Sequence, residues 1–158
     1  IDQVAELVNL SQREILCIGA RNRSELDYLR QKGAKTVVGI DLFSQDPSIL
    51  VMDMHQMTFP DQQFDMIYAS HSLEHAYDFP KVVTEILRIS RKSTLAVIEV
   101  PVQFETRGAD LIDFGNCATL LQYFGNHVSS VIWSNVKNGQ VPLNVEGLKS
   151  LQVVFTLD

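Results

Sequence analysis

The chain has 158 residues, enough for one domain with a sizeable core and too few for two. Hydrophobic residues make up 46% and charged residues 20%, the balance of a globular protein, and no apolar run is long enough to span a membrane. A net charge of −6 leaves no electrostatic footprint for phosphate backbones, so we expect no nucleic-acid partner.

Residues 2–10 place Val4, Leu7 and Val8 on one helical face. Residues 15–19 (ILCIG) are an unbroken apolar run, as expected of a strand covered on both faces. A helix follows over 23–32, with Ser24 or Asn22 as its cap and Gly33 as its stop. Strands are expected at 36–41 (TVVGID), 49–53 (ILVMD) and 64–70 (FDMIYAS). Residues 79–91 form a helix whose apolar positions are Val82, Val83, Ile86, Leu87 and Ile89. A strand over 94–100 stops at Pro101, and a helix covers 116–124. The chain then changes character. Runs 127–136 and 148–157 are β-rich with no helix between them, so they should pair antiparallel. The expected fold is therefore α/β, a Rossmann-like doubly wound sheet of seven strands, parallel until a C-terminal antiparallel hairpin. We expect a single domain over 1–158; because it begins at Ile1 rather than Met, a missing N-terminal segment is allowed for.

Ligands of such sheets sit at the C-terminal ends of the strands. Those ends carry Gly19, Asp41, Asp53, and Ser70 with His71. Gly19 lets backbone come close to a ligand, and the helix after it aims N–H groups that favour an anion. Asp41, just past a strand, can accept both hydrogen bonds of a ribose diol. Asp53 can accept from an exocyclic amine of adenine, with Met54 beside it. Ala20, Leu42 and Ser70 complete the same edge. The crevice reads as an adenosine site with an anionic group near residues 20–23. Each residue has a plainer reading as well: a strand-end Asp often only caps a turn, and any tight strand-to-helix turn favours glycine.

From Ile15 to Pro101 the chain resembles the class I S-adenosylmethionine-dependent methyltransferases, particularly their small-molecule methyltransferase domains. The strongest likeness lies in residues 51–90, with Asp53, Phe59-Pro60, Phe64-Asp65, Leu73-Glu74-His75, Asp78, Glu85 and Arg88 at the motif positions. VVGIDL, ending in Asp41 and Leu42, matches the second-strand motif with its ribose-binding acid. The resemblance implies S-adenosylmethionine as cofactor and methyl transfer to a small-molecule acceptor. Two motifs depart from the pattern. Cys17 stands where the family has an acid, and Arg21 and Arg23 stand where it has further glycines. Lys92-Ser93-Thr94 replaces a Pro-Gly-Gly turn. Arg21 could bind the cofactor carboxylate bidentately; alternatively the arginines are solvated, or pair with Glu25 or Asp27.

His71 is the candidate general base, although it could equally pack against adenine or cap the next turn. Glu74, Phe104 and Arg107 are candidate substrate contacts, the last two within the 101–115 loop; Phe114 is expected in the core. His75 is expected to be structural, and His55 and His127 to lie on the surface. No His, Cys or Asp cluster has metal-ligand spacing, so no metal is expected. Cys17 and Cys117 suggest no disulfide, which fits a reducing cytoplasm, and no signal peptide is visible. The small size leaves an open site that a missing N-terminal segment or a partner chain would complete. Two other readings compete. One is a degenerate, non-catalytic interaction module of the same fold. The other is a nicotinamide-dependent dehydrogenase, which Cys17, Gly19 and Asn22 fit poorly because it needs Gly-x-Gly-x-x-Gly there.

Overall fold

The structure, a computed structural model, describes residues 1–158 apart from the side chain of Gln3. In chain order the elements are α1 (Asp2–Leu7), β1 (Glu14–Ile18), α2 (Ser24–Gln31), β2 (Thr36–Asp41), β3 (Ile49–Val51), β4 (Phe64–Ser70), α3 (Phe79–Ile89), β5 (Ser90–Pro101), α4 (Cys117–Phe124), β6 (Val128–Ser134) and β7 (Ser150–Leu157). A short 3-10 turn, Leu73–His75, precedes α3. The seven strands form one sheet in the order β3-β2-β1-β4-β5-β7-β6. Pairing from β3 across to β5 is parallel, and β7 runs antiparallel to both β5 and β6. This is the doubly wound sheet with a terminal antiparallel hairpin that the alternating pattern implies. Strand order reverses between β1 and β4, which puts the ligand crevice outside the ends of those two strands.

The apolar runs of the central strands are continuous because both faces are covered. Leu16 and Ile18 of β1 join one core layer with the buried residues of α3 and α4. Ile15 and Cys17 point the other way, into a layer with Val4 of α1 and Leu26 and Leu29 of α2. Helix α3 packs through Val82, Val83, Ile86 and Ile89, while Leu87 is half-buried. Its N-cap is Asp78, whose carboxylate accepts from the Lys81 N–H at 3.3 Å, and Pro80 in its first turn costs no hydrogen bond. Phe114 is buried and meets Phe79 edge-on at 4.9 Å. Removing an aromatic anchor of this kind costs about 3–5 kcal/mol.

Several boundaries differ from the sequence expectation. Helix α1 ends at Leu7 because Val8 is already extended; Leu7 is 40% exposed and Val4 carries the packing. Arg23, not Ser24 or Asn22, holds the cap position of α2, and the Asn22 side chain instead accepts the Ser24 N–H in a local turn. Gly33 does follow the helix, at φ +95°. Strand β3 stops at Val51, because the Asp53 carboxylate accepts the His55 N–H and turns the chain. Strand β5 begins at Ser90, which pairs with Phe64 across a bulge. No helix among the described residues is long and apolar enough to cross a membrane.

Candidate functional site

The parallel register brings Ile18 level with Ile40 and Ala69, so β1, β2 and β4 end along one edge. A cleft of about 560 Å³ opens there, in the range of small-ligand pockets. Its walls come from the ends of β1 and β2, the segment after β3, the residues His71, Ser72, His75 and Tyr77, and the loop residues Gly108, Ala109 and Leu111.

Gly19 lies at the switch point with φ +76°. A β-carbon there would stand 2.2 Å from Ser72 Cβ. Ser72 Oγ donates to the Ile18 carbonyl at 2.9 Å, sealing β1 to the segment after β4. The glycine is thus required by protein as well as open to a ligand. Four loop amides are spent internally: Gly19 and Ala20 N–H both donate to the Ile40 carbonyl, Arg21 N–H to the Gly19 carbonyl, and Ser24 N–H to the Asn22 side chain. The amides nearest Gly19 are thus not free to cradle an anion, which makes a side chain the stronger candidate. Arg21 lines the cleft, its backbone carbonyl held by Ser44 Oγ at 2.8 Å. Among the described residues its guanidinium has no ion-pair partner. Arg23 instead pairs with Asp27 at 2.7 Å. Ala20 is buried behind the wall. So is the Cys17 thiol, on the α2 side of the sheet, and burial pushes its pKa up, leaving it inert.

Asp41 and Leu42 line the next stretch. One Asp41 oxygen accepts the Phe43 N–H at 2.7 Å, and the other makes no hydrogen bond among the described residues. Phe43, 80% exposed, adds an aromatic wall that the sequence reading missed; its only signal was an aromatic two residues past a strand-end acid. Asp53 and Met54 line the cleft too, but Asp53 is already engaged. His55 Nδ1 lies 2.6 Å from Asp53 Oδ1, and Tyr77 donates its hydroxyl to Oδ2 at 3.1 Å. The His55 ring stacks on Tyr77 at 3.6 Å, and its Nε2 accepts the Asp78 N–H, so Nδ1 carries the proton. Burial opposes charge on Asp53, but the His55 backbone, the His55 ring and Tyr77 outweigh it and hold the carboxyl below its usual pKa. His55, expected on the surface, is only 2% exposed: Asp53 and Tyr77 satisfy its polar ring. His127 is exposed.

At the other end His71 lines the cleft in a left-handed conformation, φ +49°. Its Nε2 lies 3.6 Å from Glu99 and its Nδ1 3.8 Å from Glu74. Glu99 raises the His71 pKa against the effect of burial. Reciprocally His71, with Gln152 and Ser150, pushes the Glu99 pKa down to about 2 despite burial. Ser70 lies off the cleft, its hydroxyl 3.5 Å from Glu99. Glu74 is 2% exposed and off the wall. Its backbone carbonyl accepts the N–H groups of Leu111 and Ile112, tying down the 101–115 loop. Phe104 and Arg107 of that loop do not reach the cleft. Although sequence spacing gave no metal cluster, Glu74, His75 and Asp110 converge in space.

The remaining motif positions are scaffold. Glu85 accepts the Met57 N–H at 2.7 Å, and Arg88 donates to the carbonyls of Met57 and Phe59 and to Asp61. Together they clamp the segment between β3 and β4. Asp65 accepts the Glu14 N–H and pairs with Arg91 at the far end of the sheet.

A family model described as a methyltransferase domain matches residues 1–130. The chain belongs to this methyltransferase family. Methyl transfer is the activity that membership brings. Solved methyltransferases share the fold of this one. An S-adenosylmethionine-dependent methyltransferase from Aquifex aeolicus is 15% identical, with 99% of this chain and 88% of that chain covered and a TM-score of 0.71. One from Mesorhizobium loti is 13% identical, with coverage of 98% and 96% and a TM-score of 0.69. The Burkholderia thailandensis 1,6-didemethyltoxoflavin-N1-methyltransferase, with bound 1,6-didemethyltoxoflavin and S-adenosylhomocysteine, is 16% identical, with coverage of 92% and 71% and a TM-score of 0.71. No curated protein sequence matches.

Proposed function

We propose that this methyltransferase binds S-adenosylmethionine in the strand-end cleft and methylates a small-molecule acceptor. The observation that carries this reading is the meeting of Arg21, Asp41 and Asp53 in one cleft of about 560 Å³. Arg21 has a free guanidinium for the methionine carboxylate. The open oxygen of Asp41 suits the ribose hydroxyls. Asp53 and Met54, with Leu42 and Phe43, suit the adenine ring. When bound, S-adenosylmethionine supplies a methyl group already activated by its sulfonium. The residues beyond it then need to orient the acceptor and keep water out, and orientation alone supplies much of the acceleration. His71, Ala109 and Leu111 sit at that end. Glu99, 3.6 Å from His71 Nε2, raises the His71 pKa, and a ring engaged by that carboxylate suits orientation of the acceptor. The bound toxoflavin precursor of the Burkholderia enzyme supports a small-molecule acceptor.

Residues 1–158 then work as one methyltransferase unit whose open acceptor side a further segment or a partner chain would complete. Two free cysteines fit a reducing cytoplasm. The spent loop amides favour the second reading, a non-catalytic interaction module. Calorimetric titration with S-adenosylmethionine and S-adenosylhomocysteine decides between them. Saturable heat with one site per chain supports the enzyme. Absence of both heat and thermal shift leaves the module.

A further inference from the structure

We infer that Glu74, His75 and Asp110 form a divalent-cation site at the acceptor edge of the cleft. A Glu74 carboxylate oxygen, a His75 ring nitrogen and an Asp110 carboxylate oxygen lie mutually within 4.8 Å. Donors that bind one ion at about 2.0–2.3 Å stand roughly 3–4.5 Å apart, so small side-chain adjustments suffice.

The convergence is built by backbone. Glu74 and His75 share the 3-10 turn after β4. Asp110 arrives from the loop after β5, and that loop is pinned to this turn: Leu111 and Ile112 N–H donate to the Glu74 carbonyl at 2.9 and 3.1 Å. The Asp110 N–H closes its own tight turn onto the Arg107 carbonyl. The Asp110 side chain then reaches His75, with Oδ1 3.2 Å from Nδ1, and the Ala109 carbonyl lies 3.0 Å from the same nitrogen.

A second observation points to a ligand. Glu74 is 2% exposed, and its Oε2 is buried without a hydrogen-bond partner among the described residues. Its other oxygen faces His71 only at 3.8 Å. A buried carboxylate oxygen left unpaired is costly, and a cation would satisfy it. Two carboxylates, an imidazole and a nearby carbonyl make a mixed oxygen and nitrogen donor set. It suits a cation such as Mn²⁺ better than a thiolate-seeking metal, because carboxylates select the harder ions and imidazole accepts the borderline ones. His75 and Ala109 both line the cleft, so an ion held here would face the acceptor. That use of the ion rests on the methyl-transfer reading; the binding of the ion does not.

The test is titration of the intact protein with Mn²⁺ alone, followed by loss of the free-ion electron paramagnetic resonance signal. One ion per chain is expected. Asp110→Asn, at a half-buried position, and Glu74→Gln, near-isosteric with its parent, should each weaken binding by at least about 10-fold. Asp61→Asn, at the far end of the sheet, should leave it unchanged. Circular dichroism of each variant separates lost binding from lost fold. No immobilised Mn²⁺ in the wild-type protein, or equal binding in both ligand variants, overturns the site. Calorimetry with S-adenosylmethionine reads the cofactor cleft separately. Cofactor heat without Mn²⁺ binding sinks only this inference, and Mn²⁺ binding without cofactor heat sinks only the methyl-transfer reading.

Discussion

Gly19 and Ser72 meet at the switch point of the sheet, and a β-carbon at position 19 would stand 2.2 Å from Ser72 Cβ. Gly19→Ala adds that clash to the cost of a side chain at φ +76°. Overpacking costs about 1–3 kcal/mol and a left-handed alanine about 1–2, so a loss of roughly 2–5 kcal/mol is expected. In a domain of this size that lowers Tm by very roughly 5–15 °C. Calorimetric unfolding checks it. Adding Ser72→Gly should return the part of the loss due to the clash, the signature of two residues in contact.

Arg21 and Arg23 are two residues apart but differ in partnership. Arg21 is exposed, unpaired and on the cleft; Arg23 is held by Asp27. Arg21→Ala should weaken S-adenosylmethionine binding by about 10- to 100-fold, the range of a charge-assisted contact worth about 1.5–3 kcal/mol. Arg23→Ala should leave the dissociation constant within about twofold, since exposed i,i+4 pairs carry little. Neither change should move Tm appreciably. Titration calorimetry measures both, and equal effects from the two would refute the assignment.

Asp53 holds His55 and Tyr77 through both of its oxygens, whereas Asp41 holds only the Phe43 N–H. Asp53→Ala leaves the His55 Nδ1–H unpaired in a buried place, at a cost of about 1–3 kcal/mol. Asp41→Asn should weaken cofactor binding with little change in stability. Thermal unfolding set beside titration of the two variants separates a support residue from a contact residue.

The Glu85–Arg88 clamp predicts acid sensitivity. Arg88 and the Met57 N–H outweigh burial and lower the Glu85 pKa in the folded protein. A carboxyl lowered on folding contributes stability that is complete above its unfolded pKa and is lost as pH falls through the folded one. Stability should therefore drop progressively below about pH 4.5, the ordinary range of a glutamate. Glu85→Gln should cost about 1–3 kcal/mol at neutral pH and flatten that acid limb. Urea unfolding across pH 3–7 for both proteins measures it.

The alternation of apolar runs and amphipathic helices was legible because burial on both faces of a parallel sheet writes unbroken hydrophobic stretches such as ILCI and VVGI. The closing hairpin was legible because no helix separates its strands. Asp41 and Asp53 could be picked out because strand ends are local features, and parallel pairing places such ends along one edge. Amino-acid order alone thus determined the sheet, its direction and the edge where the cleft opens. Tertiary structure decided which polar groups are free at that edge. His55 reads as a surface residue until Asp53 and Tyr77 enclose it. The amides from Gly19 onward read as an anion cradle until the Ile40 carbonyl takes two of them, Gly19 and Ala20. Glu74 and Asp110 show no metal-ligand spacing until the loop after β5 folds onto the turn after β4. In each case the outcome rests on a hydrogen-bond partner distant in the chain, and local pattern carries no information about distant partners.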